Sequence, residues 1–201
     1  MLQFIFNFTN YIILLNNEKT LMMVVILTLE KTVKESYTIM TQTVLPRDSN
    51  SYGQLYGGKL VDWIDQIGAI VAVKHSGSKV VTASIDSLHF LAPINVGDIV
   101  TLHAWINYVG RTSMEVEVHV EVENPIKKER KHACTAYLTY VAIDDEGRPR
   151  EVPRLKLESE YERRRFEEAK KRREMRLETK KQLLRSWEEV VKRRGEFRYV
   201  Y

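Results

Sequence analysis

Residues 57–74 read GGKLVDWIDQIGAIVAVK, and this segment decides the architecture of the chain. Its apolar side chains recur often enough to cover nearly the whole circumference of a helix. A helix of this kind is buried on most sides, because a helix that lies on a surface keeps one polar face for the solvent. We therefore predict a helix from Gly57 to about Lys74 that the rest of the fold encloses.

Five strands are predicted around this helix, one before it and four after it. The first covers residues 37–45. The strand over residues 98–109 alternates with a period of two, and its apolar face runs from Val100 to Tyr108. On the strand that follows, at positions 114–123, a methionine and four valines face one way, and four glutamates and a histidine face the other. Alternation over this length is a strong indication of strands.

The other two strands carry local features. Residues 80–91 change phase at Asp86-Ser87, which predicts a β-bulge. On the last strand, residues 131–143, His132 and Cys134 are predicted to share a face. A Cys–His pair is therefore conceivable, although a core cysteine beside an unremarkable histidine is commoner. The apolar face of this strand is formed by Cys134, Ala136, Leu138 and Tyr140.

The lengths of these strands favour one arrangement. Strands of ten to thirteen residues are about twice the usual length and must curl to stay packed. A single apolar helix roughly 25 Å long gives them a body to curl around. We predict an α+β fold in which a long antiparallel sheet wraps one central helix. Its open edge strands favour dimerisation into a continuous sheet.

Three regions follow from the pattern of charge and apolarity. Residues 35–157 form the folded unit, and residues 158–201 form a charged helical tail. Residues 1–34 are an N-terminal extension of uncertain role. We interpret them as sequence upstream of a start near Met22 or Met23, or as a peripheral strand. A stable membrane anchor is not expected, because the asparagines of the first apolar run would be poorly placed in lipid.

The charged tail could in principle bind nucleic acid, because it is locally basic. Its glutamates are nevertheless interleaved with bases at i,i+4 spacing, as in Glu167 with Lys171. This pattern favours a structural helix, and nucleic acid is not an expected partner.

Composition excludes several classes of site. The 201 residues include a single cysteine, which excludes an internal disulfide framework and a Cys-rich zinc module. The five histidines lie at no metal-ligand spacing, so we expect no metal and no cofactor. Residues 53–60 nearly match a P-loop, but Leu60 stands where that motif needs Ser or Thr. No Gly-x-Ser-x-Gly elbow is present.

Asp65 is the first candidate for chemistry. It interrupts an apolar helix, and Gly68 and Ala69, one turn later, lack the bulk to cover it. A carboxylate in that setting can act on a ligand, or it can simply bond a backbone donor or a dimer partner. Asp62, one turn earlier, competes for the same role.

The polar loop before the helix supplies further candidates. The amide of Asn50 could donate to a substrate oxygen, although asparagine in such a loop usually serves the turn itself. Gly57 and Gly58 place bare backbone N–H groups at a helix N-terminus. Such groups stabilise an anion or a developing oxyanion without any side chain.

The segment LPRDSNSYGQLYGG, residues 45–58, followed by Leu60 and Trp63-Ile64-Asp65, resembles the hotdog-fold acyl-CoA thioesterases of the cytosolic (brain-type) acyl-CoA hydrolase family. The resemblance covers about residues 38–175. Later segments fall in the family's order, with VTASID at 81–86, FLAP at 90–93, GRTSM at 110–114 and EVP at 151–153.

This resemblance implies a hotdog fold, paired subunits and active sites at the dimer interface. It implies hydrolysis of fatty acyl-CoA to free fatty acid and CoA, with Asp65 activating water and Asn50 orienting water or polarising the thioester carbonyl. A rise of roughly 10 Å along the helix separates Gly58 from Asp65, too far for one carbonyl carbon to be close to both. We therefore predict that a complete site combines Asn50 or Gly58 of one subunit with Asp65 of another.

Two alternatives remain open at this level. A hotdog enoyl-CoA hydratase would commonly pair its acid with a histidine, and an acyl-CoA-binding regulator would bind without turnover. The CoA phosphates need cations, and Arg111 is the first candidate to bind them, with Ser113 and Lys59 behind it. Each of these side chains is at least as compatible with an ordinary solvated position on the surface. We expect a cytoplasmic homodimer, three of which could form a hexamer.

Overall fold

The structure, a computed structural model, describes residues 3–8, 11–15, 23–25 and 30–194. It divides after Leu157 into two units. In chain order its elements are β1 (Gln3–Phe8), β2 (Tyr11–Leu15), β3 (Met23–Val25), β4 (Glu30–Thr32), α1 (Val33–Ser36), β5 (Thr38–Thr43), a 3-10 turn (Pro46–Asp48), α2 (Gly57–Ser76), β6 (Lys79–Phe90), β7 (Ile99–Val109), β8 (Ser113–Asn124), β9 (Glu129–Ile143), β10 (Arg154–Lys156) and α3 (Glu160–Arg194).

Five strands form one antiparallel sheet in the order β5-β7-β8-β9-β6. Helix α2 contacts all five of them, so the predicted sheet around a central helix is confirmed. The sheet's contribution to the core comes from every second residue, as the alternation predicts. These side chains include Val100, Leu102, Ala104, Met114, Val116, Val118, Val120, Cys134, Ala136, Leu138 and Tyr140, all without exposed surface.

Local rules explain where α2 begins and ends. Tyr56 precedes the helix in an extended conformation and gives no side-chain cap, so Gly57 and Gly58 begin it with uncapped N–H groups. Gly77 ends the helix in the left-handed region, at φ 64°, and its N–H bonds the carbonyl of Val73 at 2.8 Å.

The prediction that α2 is enclosed on most sides is wrong for the single chain. One face, including Leu60, Ile64 and Ile67, is buried against the sheet. Ile70 and Val73 remain 44% and 45% exposed. A single sheet can cover only one side of a helix, and the remaining apolar surface points away from it.

Strand β6 contains the predicted bulge. Its register against β9 shifts between Ile85 and Ser87, which confirms a bulge at Asp86. A second shift, which the sequence analysis missed, lies between Thr82 and Ser84. Each extra residue bends the strand and redirects the side chains beside it.

Another bulge overturns the prediction for His132 and Cys134. The β8–β9 register changes between Val120 and Glu121, whose partners are Cys134 and His132, so Ala133 is the extra residue. Cys134 is therefore buried in the core, and His132 is exposed and bonds Thr135 at 2.8 Å. A bulge shifts the phase of a strand by one residue, which moves every earlier side chain to the opposite face.

Bulges and burial also change the polar face of the sheet. A register shift after Ile106 moves Tyr108 opposite Glu115, away from the apolar set in which it was predicted. On the outward face, Glu117 is fully buried, which its alternating pattern did not indicate. It accepts hydrogen bonds from Asn107 at 2.6 Å and Tyr137 at 3.3 Å, and its Oε1 lies 2.7 Å from His119 Nε2. These partners satisfy the buried carboxylate.

The remaining strands lie outside the five-stranded sheet. Strands β1, β2 and β3 form an antiparallel sheet of their own, and β10 pairs in parallel with β4. The predicted charged helix is present as α3, with ion pairs such as Arg163–Glu160. Met22 lies outside the described residues, and the start near Met22 or Met23 stays a prediction. No helix among the described residues is long and apolar enough to cross a bilayer.

We predict that His75 makes the stability of the fold depend on pH. Its side chain is fully buried; Nε2 bonds the Pro153 carbonyl at 3.0 Å, and Nδ1 has no hydrogen-bond partner within the described residues. Burial lowers the pKa of His75, so below about pH 6.5 the unfolded chain binds a proton that the folded chain resists. Stability should therefore fall as the pH drops from 7.5 to 5.5.

Thermal melts of wild type and His75→Gln over this range measure the effect, because glutamine keeps an N–H donor and does not titrate. The variant should lose less stability on acidification than wild type. His132→Gln, which removes an exposed histidine, is the matched control and should behave as wild type. Equal pH dependence in His75→Gln and wild type would contradict the assignment.

Candidate active site

The Asp65 carboxylate is held by hydroxyl groups from two neighbouring strands. Thr82 on β6 donates to Oδ1 at 2.8 Å, and the Tyr140 hydroxyl on β9 lies 3.0 Å from Oδ1 and 3.0 Å from the Asp65 backbone carbonyl. Thr82 and Tyr140 are direct cross-strand partners. These hydrogen bonds hold the carboxylate in place. Because Asp65 is only partly buried, it is still within reach of solvent.

The close approach of Tyr140 depends on Gly68. A Cβ atom at position 68 would overlap the Tyr140 hydroxyl. The small residues after Asp65 were expected to leave a path for a ligand. At Gly68 that space is instead occupied by the Tyr140 hydroxyl, which contacts the carboxylate.

Asp62, the competing candidate, is a surface group. It is exposed and accepts hydrogen bonds from Lys59 at 2.7 Å and Gln66 at 2.8 Å. The hydrogen bond from Lys59, followed by that from Gln66, lowers the pKa of Asp62. Lys59 is thus paired along the helix, and its ammonium also lies 5.7 Å from the centre of the Trp63 ring.

Asn50 shapes the loop before α2 and keeps its amide available. Its Oδ1 accepts from the backbone N–H groups of Tyr52 and Gln54, at 2.9 and 3.2 Å. This is the turn chemistry expected of such an asparagine. Because the oxygen serves the turn, the Nδ2 group is the part of the side chain left to donate to a ligand.

Gly57, at the start of α2, lines an apolar cavity. The cavity has a volume of about 350 Å³, and Gly57 and Leu60 line it from the helix. The end of β6 and the loop after it supply the other wall, with Phe90, Leu91 and Pro93. A Cβ atom at Gly57 would lie 3.4 Å from the Phe90 ring. The uncapped N–H groups of the helix therefore adjoin a space that can take an apolar group.

The predicted site residues fall at two places along β6. Asp65 bonds Thr82 near the start of this strand, whereas Gly57 lies against Phe90 at its end. Along α2, Gly57 and Asp65 are eight residues apart, a rise of roughly 12 Å. A single chain thus keeps the carboxylate and the candidate oxyanion donors apart, near opposite ends of β6.

The hairpin with the candidate cation lies at the Asp65 end of the sheet. Ser113 pairs with Val141, next to the pair formed by Met114 and Tyr140. The Arg111 side chain, at the hairpin tip, is 81% exposed, and its Nη1 lies 3.4 Å from a carboxylate oxygen of the exposed Glu151. Arg111 is therefore more accessible to an anionic ligand than Lys59, whose ammonium is paired with Asp62.

Within the described residues, no histidine contacts the Asp65 carboxylate. Both hydrogen-bond partners of Asp65 found among residues 30–194 are hydroxyls, so the Asp/His pair expected of a hydratase is not formed there. In the same part of the chain, no three His, Cys, Asp or Glu side chains are placed to share a metal ion.

Sequence reasoning found Asp65 but missed its partners. The sequence pattern places Tyr140 only among the core-facing residues of its strand, and Thr82 only within the segment VTASID. One signal was available, because a tyrosine on an otherwise aliphatic buried face needs a hydrogen-bond partner for its hydroxyl. The partner itself lies 75 residues away in the chain, so the sequence pattern could not identify it.

The sequence of this chain is similar to those of known acyl-CoA thioester hydrolases. Residues 52–128 match the Thioesterase superfamily. Over 129 residues the chain is 45% identical to an uncharacterized acyl-CoA thioester hydrolase of Bacillus subtilis, covering 64% of this chain and 75% of that protein. It is 35% identical over 143 residues to the cytosolic acyl coenzyme A thioester hydrolase of Mus musculus, covering 70% of this chain and 38% of the mouse protein.

Solved structures of acyl-CoA hydrolases share the fold of this chain. An acyl-CoA hydrolase from Staphylococcus aureus in complex with butyryl coenzyme A and coenzyme A superposes with a TM-score of 0.75 at 38% identity, covering 81% of this chain and 99% of that one. A hexameric acyl-CoA thioesterase superposes with a TM-score of 0.72 at 42% identity, covering 75% of this chain and 97% of that one.

Three further structures of the Staphylococcus aureus hydrolase each carry one alanine substitution, at an aspartate, an asparagine or a threonine. Those three residues are separated by 15 and then 17 positions. Asn50, Asp65 and Thr82 have the same types, order and separations.

We predict that Cys134 takes no part in chemistry. Burial raises the pKa of this thiol to about 11, so the thiolate nucleophile is scarce at neutral pH. Cys134→Ala should keep full catalytic activity and lose about 1 kcal/mol of stability to the small cavity. Thiol labelling at pH 8 should be slow in the native protein and complete after unfolding. Rapid native labelling, or loss of activity in a folded variant, would contradict this.

Proposed function

The chain belongs to the acyl-CoA thioester hydrolases, and we propose that it hydrolyses fatty acyl-CoA with Asp65 as the general base. The observation that carries this assignment is the Asp65 carboxylate, which two hydroxyls hold at one oxygen while the other stays accessible. The spacing shared with the Staphylococcus aureus hydrolase supports it.

The reaction needs water to attack a thioester carbonyl carbon. Asp65 takes a proton from that water as a new carbon–oxygen bond forms, and negative charge develops on the carbonyl oxygen. The intermediate then expels the CoA sulfur as a thiolate, which is protonated to the free thiol, and leaves the fatty acid. Thioester hydrolysis by this route uses no metal or organic cofactor.

The developing oxyanion needs donors that are already in place. The N–H groups of Gly57 and Gly58, uncapped at the start of α2, supply them, and the helix N-terminus adds partial positive charge. Asn50 Nδ2 can polarise the same carbonyl or orient the water. The apolar cavity beside Gly57 is suited to the first carbons of the acyl chain.

A homodimer brings the two halves of the site together. Strand β6 is an edge of the sheet, and Val81 and Ile85 on it are 46% and 41% exposed. Asp86 lies midway between Thr82 and Phe90, so antiparallel pairing of two β6 strands about Asp86 sets Thr82 opposite Phe90 of the partner subunit. Asp65 then approaches the partner's Gly57, and the edges and exposed faces of α2 become buried.

Arg111 is the first choice to bind the CoA phosphates, because it is exposed at the Asp65 end of the sheet. Ser113 and Lys59 are secondary candidates. Three such dimers would form the hexamer seen in a solved relative. A cytoplasmic location is supported by the cytosolic mouse relative and by the single cysteine, which is free and buried.

Thiol release from a chain-length series of acyl-CoA substrates tests the general base. Asp65→Asn should lower kcat by about 100-fold or more, because it removes the base and keeps the shape of the side chain. Asp62→Asn, one turn earlier on the same helix, is the matched control and should stay within about twofold of wild type. Full turnover in Asp65→Asn would contradict the assignment.

Mixed dimers test the shared site. Asn50→Ala and Asp65→Ala chains should each be inactive alone, but a mixed dimer holds one intact pair made of Asn50 from one chain and Asp65 from the other. After subunit exchange, an equal mixture should recover about a quarter of wild-type activity, because half of the dimers are mixed and each has one intact site.

A mixture of Asp65→Ala and Asp65→Asn chains is the control, since no combination of these chains restores the carboxylate. Isotope labelling of one of the two chains lets native mass spectrometry establish that subunits have exchanged. If exchanged mixtures of the first pair stay inactive, the site does not combine two subunits.

A further inference from the structure

We propose that Tyr140 is a positioning residue for the Asp65 carboxylate, binding its Oδ1 so that Oδ2 faces the attacking water. The inference rests on the proposed role of Asp65 as general base and extends it to a residue that does not touch substrate. Tyr140 would act through Asp65 alone, because its side chain has no exposed surface.

Two donors converge on a single carboxylate oxygen. Oδ1 accepts from Thr82 at 2.8 Å and lies 3.0 Å from the Tyr140 hydroxyl, while no donor within residues 30–194 reaches Oδ2. An ionised carboxylate has lone pairs on both oxygens. With one oxygen bound on two sides, the group cannot rotate freely, and the other oxygen keeps a fixed direction for accepting a proton.

The two donors differ in what secures them. Thr82 is exposed on the edge strand β6, next to a register shift. Tyr140 is on β9, between β8 and β6, and is paired with Met114 and Thr82. Tyr140 is therefore the donor whose position the core determines.

Gly68 shows that the fold makes room for this contact. Glycine is unfavourable inside a helix, yet any larger residue at position 68 would overlap the Tyr140 hydroxyl. The Tyr140 ring carbons Cζ and Cε2 would lie only 2.9 and 3.0 Å from such a Cβ atom, so Gly68 accommodates the end of the ring together with its hydroxyl.

The phenol is also suited to act as a permanent donor. Burial, and then the neighbouring Asp65 carboxylate, raise the pKa of Tyr140 well above its usual range. The hydroxyl stays protonated under all conditions in which the enzyme could work. Its proton is shared between Oδ1 and the Asp65 backbone carbonyl, so a purely structural role as an anchor between α2 and β9 has to be distinguished by experiment.

Tyr140→Phe distinguishes the two roles, because it removes the hydroxyl and keeps the ring in the core. If Tyr140 positions Asp65, kcat for thiol release should fall about tenfold with KM within about twofold, since a hydrogen bond to a charged group is lost and substrate contacts are kept. Tyr37→Phe is the matched control. It also removes a hydroxyl hydrogen bond, to His103 at 2.7 Å, and should leave kcat unchanged.

A double-mutant cycle adds a readout that a structural anchor would not move. In an Asp65→Asn background, Tyr140→Phe should cause no further loss of residual kcat, because the group it positions has been removed. A Tyr140→Phe protein with a lowered Tm but unchanged kcat well below that Tm would overturn the proposal. If Tyr140→Phe does not fold, Gly68→Ala gives the second measurement: it should also lower kcat, and unchanged kcat would overturn the proposal.

The outcomes also separate this inference from the function on which it rests. Full turnover in Asp65→Asn would remove the general base, and the positioning role with it. Loss of turnover in Asp65→Asn together with full turnover in a folded Tyr140→Phe would leave the general base intact and overturn only the role of Tyr140.

Discussion

The burial of one face of helix α2 against a curled five-stranded sheet is the constraint on which the rest of the structure depends. Side chains such as Leu60, Ile64 and Ile67 are fully buried there. Each contributes on the order of 2 kcal/mol, which is large against the 5–15 kcal/mol of net stability of an ordinary domain. The helix therefore cannot shift or rotate without losing most of that stability. A polar group on its flank is held as firmly as the core itself.

This rigidity explains why one carboxylate on the helix can be positioned accurately. Gly68 lets the sheet approach the helix, and β9 and β6 then present two hydroxyls to Asp65. The donors come from adjacent strands in direct register, so their spacing is set by the hydrogen-bonded ladder rather than by flexible loops. Other reactive groups are used differently: Cys134 fills the core, and His75 ties the end of α2 to the carbonyl of Pro153.

The same architecture leaves an edge strand and one side of α2 exposed in a single protomer. A sheet that wraps a helix has two edges and covers only one side of it, so β6 and the outer side of α2 remain exposed, with apolar side chains such as Ile70, Val73 and Val81 among their surface groups. The carboxylate lies near one end of β6, and the uncapped helix N-terminus and its cavity lie near the other. An edge strand that pairs with its own copy runs antiparallel to it, which exchanges its two ends. Oligomerisation would then serve both the stability of the fold and the assembly of the site.

The sequence by itself determined the elements and the main chemical candidate. Periodicity of two and the apolar run after Gly57 predict the strands and the helix, because these signals depend only on neighbouring residues. Asp65 stands out because it is a charged residue in an apolar run, and the phase change at Asp86 is visible in the same local way. Only the tertiary structure decided which groups meet Asp65, since Thr82 and Tyr140 reach it from distant positions. It also decided the faces of His132 and Cys134, because a bulge at Ala133 inverts the alternation without changing composition. Contacts between strands depend on register, and a shift of one residue in register moves a side chain to the other face of the sheet.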